Sequence, residues 1–337
     1  MAGNHRRVYV FSHPRSCSHL FYHILSGHPA FQATKPLTCV SAYFHGIDSQ
    51  APSCHQSRNL ESPEGEAGAK VSWQITLNEL QSGVADAETK GKWFLTTDHS
   101  HHLMSSTVIN AQLPAGRESQ PVPVVQDEML DISTRTIIPE IFQDLLALAA
   151  HANPTLLPDR FFFSFTPIIL IRHPARVIPS YLRVQRRQGY EGFGDLSVAA
   201  SFTWERMVFD SFRSYEESLA RAEGRSVNMP IVVDGGKFVD DPRSQMKKLC
   251  DVLRLDEAQI RYTWDQPGLT RNTPAAAAFE GIFSHSTGIS SNPNPEKPLN
   301  LEEEMEGWVK EWDEPTARII AEKVKNAMDV YEYLLQF

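Results

Sequence analysis

The chain has 337 residues, 41% hydrophobic and 22% charged, a globular balance that excludes a disordered acidic chain and a coiled coil. With 32 Lys and Arg against 41 Asp and Glu, the net charge is −9, which excludes a protein that coats nucleic acid through bulk positive charge. Cys17, Cys39, Cys54 and Cys250 form neither a CxxC pair nor a disulfide framework, the usage expected of a reducing compartment. Residues 1–7 lead straight into the apolar run Val8–Phe11 without a signal core. Phe161–Ile171, interrupted by Ser164, Thr166 and Pro167, is too short to cross a bilayer as a helix. The expectation is a soluble cytoplasmic protein with no membrane or nucleic-acid partner.

Four short runs rich in β-branched and aromatic residues predict buried strands: Arg7–Phe11, Lys92–Thr96, Ile168–Ile171 and Pro230–Val233. Helical patterns follow three of them, at Leu20–Leu25, Val177–Arg187 and Arg243–Leu253. Strands alternating with helices predict an α/β fold, a parallel sheet covered by helices on both faces. In such sheets ligands bind beyond the carboxyl ends of the strands, so the residues after each strand are where chemistry is to be sought.

Asp48–Lys70, Leu113–Val125 and Ser284–Leu299 are rich in Pro, Gly, Ser and Asn, and predict long loop insertions, either lids or disordered segments. After Pro315 a helix is expected, with Ile320, Val324, Ala327, Tyr331 and Leu335 on one apolar face. Helix Leu301–Trp312, with Glu302, Glu303, Glu304 and Glu306, reads as a solvated acidic face. No repeat or linker divides the chain, so residues 1–337 are expected to form one domain.

The first strand runs into Ser12-His13-Pro14-Arg15-Ser16-Cys17-Ser18-His19 and then a helix. A strand, a tight turn and a helix start gather backbone N–H groups at the positive helix end, which suits a phosphate. Arg15 adds a fixed cation, and Ser16 and Ser18 add hydroxyls. GxxxxGK[ST] is absent, and the segment also reads as a plain turn with a surface arginine. The third strand is followed by Arg172, with Ser180 eight residues later. The two converge on a second phosphate if a helix starts between them. Arg183, Arg186 and Arg187 also read as a solvated helix face.

HPRSCSHLF followed at distance by IRHPARVIPSY resembles the paired signatures of the PAPS-dependent sulfotransferases. There a 5′-phosphosulfate loop (PRSG or PKSGTTW) follows the first strand, and a 3′-phosphate motif, R-x7-S, follows a later one. IVVDGGKFVDDPRSQMKKLCDVLRL is similar to that family's strand, loop, Asp-Pro and helix segment. The layout resembles the divergent fungal members. The resemblance implies a sulfotransferase-like fold that binds PAPS (3′-phosphoadenosine 5′-phosphosulfate) without a metal. It implies that Arg15, Ser16, Cys17, Ser18 and His19 form the 5′-phosphosulfate loop, with Arg15 also catalytic. Arg172 and Ser180 would hold the 3′-phosphate. The substrate would be a small hydroxylated acceptor. His99, in Thr96-Thr97-Asp98-His99, matches the general base, a role suited to imidazole at neutral pH. His99, His101 and His102 also read as metal ligands or a surface cluster.

The pattern is broken in four places. Cys17 replaces a glycine, so a left-handed turn is costlier there. Thr97 replaces a lysine that touches the sulfuryl oxygens. Gly235 and Gly236 stand where an aromatic–acidic pair is usual, and Phe279–Leu299 contains no Arg-Lys-Gly. Two further functions therefore stay open. One is cofactor-independent acid–base chemistry (dehydration, isomerisation or cyclisation in specialised metabolism) by His99 with His19 or Asp98. The other is a nucleotide-binding module. Tyr43, Phe44, Trp73 and Trp204 are candidates for an apolar acceptor pocket or for core.

Overall fold

The computed structural model describes residues 6–35, 38–51, 71–112, 122–128, 151–190, 193, 196–269, 277–279, 283–289 and 299–337. Most of the three long loops, including 52–70, 113–121 and 290–298, lies outside the described residues. In chain order the elements are β1 (Arg7–Ser12), α1 (Ser18–Ser26), β2 (Phe31–Ala33), α2 (Val40–His45), α3 (Trp73–Thr89) and β3 (Trp93–His99). Next come α4 (Ser100–Leu103), α5 (Ser106–Gln112), α6 (Asp159–Phe162), β4 (Thr166–Ile171), α7 (Pro174–Arg187), α8 (Leu196–Ala199) and α9 (Thr203–Glu223). The described chain closes with β5 (Ile231–Asp234), α10 (Gly235–Asp240), α11 (Pro242–Leu253), α12 (Leu301–Glu311) and α13 (Glu314–Leu334).

The strands form one parallel sheet in the order β2-β3-β1-β4-β5. Every residue of β1 is buried, because both faces of the central strand are covered. Tyr9, Phe11, Phe94, Ile169 and Ile171 belong to one core, shared with α3, α9 and α13. Val8, Val10, Leu95, Ile168 and Leu170 belong to a second, with Phe21, Ile24 and Leu25 of α1 and Met246 and Leu249 of α11. Alternation along each strand assigns its residues to the two faces. Aromatic packing dominates the first core: Phe162 and Phe212 lie 4.4 Å apart, and Phe163 stacks on Tyr215 at 4.4 Å.

From β1 the chain leaves towards β2 at one edge, whereas from β4 it leaves towards β5 at the other. The carboxyl ends of β1 and β4 therefore bound the crevice where the winding reverses, the usual ligand position in an open α/β sheet. The His13 N–H donates to the Leu170 carbonyl at 3.1 Å, carrying the β1–β4 pairing one residue past the strand. The loops after these two strands are the two anion-binding segments expected from the sequence.

The sequence readings need three corrections. β3 continues to His99, three residues beyond the apolar run, so Asp98 and His99 are strand residues. β2 was not expected. Helix α12 is not a purely solvated face: Glu304 pairs with Arg176 at 3.1 Å and Glu311 with Arg183 at 2.6 Å, while Trp308 is buried. The acidic side of α12 thus lies on the basic side of α7. Among the described residues no helix is long and apolar enough to cross a membrane.

Candidate active site

The turn after β1 closes on the His13 carbonyl, which accepts from Ser16 Oγ at 2.6 Å and from the Ser16 N–H at 3.3 Å. The Ser16 hydroxyl is thereby turned inward; it braces the loop, whereas the sequence had suggested a donor to an anion. The backbone is left-handed at Arg15 (φ 67°) and at Cys17 (φ 69°), a region that costs a side-chain-bearing residue about 1–2 kcal/mol. Cys17 is the N-cap of α1, and its side chain makes no capping hydrogen bond. The first-turn N–H groups of α1 are donors with a positive dipole behind them, as anion binding requires. Ser18 opens the helix, and His19 stacks on Phe283 with ring centroids 6.4 Å apart.

Gly235, the first residue after β5, explains how three strand ends meet here. A Cβ at this position would lie 2.1 Å from the Ser16 carbonyl oxygen and 3.3 Å from that of Ile171. Only glycine fits between the two backbones. The glycine that departs from the family pattern is thus required by the closeness of the β1 loop.

The segments after β1 and β4, with Arg15 and Ser180 165 residues apart, are joined by one side chain. Arg15 Nε donates to Ser180 Oγ at 3.0 Å, and Arg15 Nη1 donates to the Phe279 carbonyl at 3.0 Å. Burial lowers the Arg15 pKa, and the nearby charges of Arg172 and Arg187 push the same way against an opposing pull from Cys17. Three guanidinium groups collected around one loop repel one another, and a bound polyanion relieves that repulsion. Arg172 directly follows β4, and Ser180 lies on α7, so a helix does start between them. His173 caps this helix, its Nδ1 accepting from the Ala175 N–H at 3.2 Å. The His173 ring packs edge-on against Tyr331 at 5.2 Å, and the Tyr331 hydroxyl donates to Asp234 Oδ2 at 2.7 Å. The C-terminal helix thereby ties the ends of β4 and β5 together.

His99 stands beside Ser12 in the β1–β3 register, with Nδ1 2.8 Å from Ser12 Oγ. It is 8% exposed. Burial holds its pKa well below the ordinary histidine value, and His102, His101, His19 and His13 push it further down. The contact with Ser12, the last residue of β1, places the imidazole beside the loop that follows that strand. A neutral ring keeps a lone pair at physiological pH, at some loss of basicity. Thr97, two residues before it, donates through Oγ1 to the Val10 carbonyl at 3.0 Å, so this side chain is spent on the sheet and supplies no cation.

Asp98 lies on the other face. It accepts from the Cys39 N–H at 2.9 Å and the Tyr9 hydroxyl at 3.0 Å, yet burial outweighs these donors and raises its pKa to about 7. Glu205 on α9 is also buried, which raises it to about 8, and Ser100 is its side-chain neighbour. His99 stacks on His101 with ring centroids 6.0 Å apart, His101 and His102 meet edge-on at 4.3 Å, and His102 lies tilted against Tyr43 at 4.8 Å. Among the described residues no three His, Cys, Asp or Glu side chains are grouped to hold a metal ion. Tyr43, Trp73 and Trp204 are core residues, and Phe44 packs against that core.

Sequence reasoning missed Ser12, Glu205 and Gly235. Ser12 becomes visible only through the strand register. Glu205 becomes visible only once α9 is seen to abut α4. Gly235 carried a signal, because a Gly-Gly pair directly after a strand implies a close backbone approach.

With this geometry in view, the chain can be set beside known proteins. The Sulfotransferase family model matches residues 7–259. A protein of Metarhizium majus (strain ARSEF 297) named Sulfotransferase ppzF is 26% identical, over 98% of this chain and 96% of its own. Its namesake in Metarhizium rileyi (strain RCEF 4871) is 25% identical with the same coverage. Among solved structures, the sulfotransferase domain from the Synechococcus PCC 7002 olefin synthase is 15% identical, covering 96% of both chains with a TM-score of 0.37. The family assignment rests on the sequence matches.

Proposed function

This chain belongs to the sulfotransferase family, and we propose that it transfers a sulfuryl group from PAPS to a hydroxyl of a small organic acceptor. The observation that carries this reading is the Arg15–Ser180 hydrogen bond of 3.0 Å, which brings together the two loops that the sequence reads as phosphate sites. The residues present suit the nucleotide: the start of α1, Arg15, Arg172 and Ser180 offer donors to two phosphate positions. PAPS, when bound, supplies the activated sulfuryl group and a phosphate leaving group.

The chemistry asked of this chain is mostly positioning and charge stabilisation. The α1 N–H groups and Arg15 would hold the 5′ end and stabilise negative charge on its phosphate oxygen. Arg172 and Ser180 would hold the 3′-phosphate. His99 Nε2 would take the proton of the acceptor hydroxyl that receives the sulfuryl group. With Thr97 turned onto the sheet, this reading assigns Arg15 as the cation that serves the transition state.

A second reading, cofactor-independent acid–base chemistry, is favoured by Asp98 at about 7 and Glu205 at about 8. Both can hold or release a proton near neutral pH, Glu205 beside Ser100 and Asp98 4.0 Å from His102 Nδ1. His99→Ala tests the first reading in an assay that follows label from [35S]PAPS into a panel of phenols and alcohols. The expected result is transfer by the wild type, with a loss of at least about 100-fold in the variant and unchanged binding of adenosine 3′,5′-bisphosphate. Transfer at the wild-type rate in the variant would remove His99 from the chemistry. Nucleotide binding with no transfer to any acceptor would favour the binding module.

A further inference from the structure

We propose that Ser12 is a positioning residue that fixes the tautomer of His99, leaving Nε2 unprotonated and ready to accept a proton. This rests on the reading of His99 as the general base.

Ser12 Oγ is fully buried and touches two groups: the Asp98 carbonyl oxygen at 3.2 Å and His99 Nδ1 at 2.8 Å. The hydroxyl carries one proton. The carbonyl oxygen can only accept, so the contact with Asp98 is a hydrogen bond only when Ser12 donates it. The contact with His99 is then a hydrogen bond only when Nδ1 carries a proton and donates to Oγ. The alternative, Ser12 donating to Nδ1, turns the Asp98 contact into two facing oxygen lone pairs in a buried place, where an unmade bond costs most. Both contacts are satisfied in one arrangement: Nδ1–H to Oγ, and Oγ–H to the carbonyl. In a neutral imidazole with a protonated Nδ1, the lone pair sits on Nε2.

The strand register makes this chain of bonds possible, since Ser12 and His99 are Cα partners at the ends of β1 and β3. Backbone carbonyls commonly fix a histidine tautomer by accepting directly from Nδ1–H. Here the serine relays the carbonyl of the residue preceding the histidine. When Nε2 takes the acceptor's proton, the same relay faces the imidazolium with a carbonyl dipole. An alanine at position 12 removes both the tautomer control and that stabilisation.

The tautomer can be read in the resting protein, without nucleotide or acceptor, by 1H–15N multiple-bond NMR on protein labelled with [15N]histidine. Comparison with His99→Gln identifies the His99 signals among the 13 histidines. The expected wild-type pattern is a protonated Nδ1 and an unprotonated Nε2, retained in Ser12→Thr, which keeps the hydroxyl. In Ser12→Ala the ring should shift toward the Nε2–H form. In the transfer assay, kcat of this variant should fall roughly 10- to 100-fold with little change in KM. A wild-type ring protonated at Nε2 overturns the proposal, as does an unchanged tautomer in a folded Ser12→Ala. If Ser12→Ala does not fold, the wild-type and Ser12→Thr spectra decide the matter, because loss of the Nδ1–H form in either overturns it. A protein that shows the Nδ1–H form but binds no adenosine bisphosphate would overturn the sulfotransfer reading and leave the role of Ser12 standing.

Discussion

At Cys17 the backbone adopts φ 69°, the conformation for which glycine is the usual residue, and this cysteine is also the N-cap of α1. The loop after β1 therefore keeps its left-handed turn with a side chain present, and carries the strain. Cys17→Gly should stabilise the fold by about 1 kcal/mol, seen as a higher urea midpoint with an unchanged slope. A lower midpoint would mean that the thiol makes packing contacts worth more than the strain. Arg15 has the same left-handed backbone, yet its side chain holds Ser180 and the Phe279 carbonyl, so strain there accompanies a contact the site needs. At this scale the sequence was only partly readable. Residue types and spacing, with the family resemblance, pointed to Arg15, Arg172, Ser180 and His99. The inward turn of Ser16 and the pairing of Ser12 with His99 depend on three-dimensional closure that no local spacing encodes.

Helix α12 illustrates how magnitudes decide between two visible interactions. Its ion pairs to α7 look prominent, but Arg183 and Glu311 are 40% and 37% exposed, and such pairs are worth at most about 1 kcal/mol. Trp308, 2% exposed, is buried in the core with Ala317, Ile320 and Val324 of α13, and truncating a buried tryptophan costs about 3–5 kcal/mol. Trp308→Ala should therefore destabilise the protein several-fold more than Arg183→Ala by chemical denaturation. Comparable losses in the two variants would show that charge, rather than burial, attaches α12. β1 and β4 were legible because buried parallel strands are apolar runs, and β5, half-buried over its first two residues, because Ile231, Val232 and Val233 are β-branched. β2 is three residues, Phe31–Ala33, too short to leave a pattern. α9 carries a readable stripe in Trp204, Val208, Phe212 and Tyr215, yet it does not directly follow a strand, so a strand-then-helix reading passes over it.

Across the whole molecule, the buried titratable groups set the pH dependence of stability. Asp98 and Glu205 have folded pKa values of about 7 and about 8, raised by burial, against ordinary values near 4. His13 is lowered by burial to about 4, and His99 lies well below 6.5. Between about pH 4.5 and 6.5 the fold retains carboxyl protons that the unfolded chain has lost, and lacks histidine protons that the unfolded chain holds. These differences oppose each other, so stability should be nearly level. Above about pH 6.5 the histidines are neutral in both states and only the carboxyl difference remains. Stability should then fall as pH rises to about 8, by up to about 1.4 kcal/mol per pH unit for each proton of difference. Urea midpoints at pH 6.5, 7.25 and 8 check this, and Asp98→Asn and Glu205→Gln should each flatten the decline. Stability that rises across this window would contradict the assignment of both carboxyl groups. The outline of this molecule, a parallel α/β sheet covered by helices, was legible from strand–helix alternation. The buried acids were not, because Glu205 sits in a helix whose polar residues look solvated until the partner element is in place.

The proposed union of the β1 and β4 loops into one bisphosphate site is tested most directly by calorimetric titration with adenosine 3′,5′-bisphosphate of the wild type, Arg15→Ala and Arg172→Ala. The expected result is micromolar binding by the wild type. Each variant should bind weaker by about 1.5–3 kcal/mol, roughly 10- to 150-fold, as expected for a lost charge-assisted hydrogen bond. Equal affinity in all three proteins, or no heat of binding at millimolar nucleotide, would contradict the site.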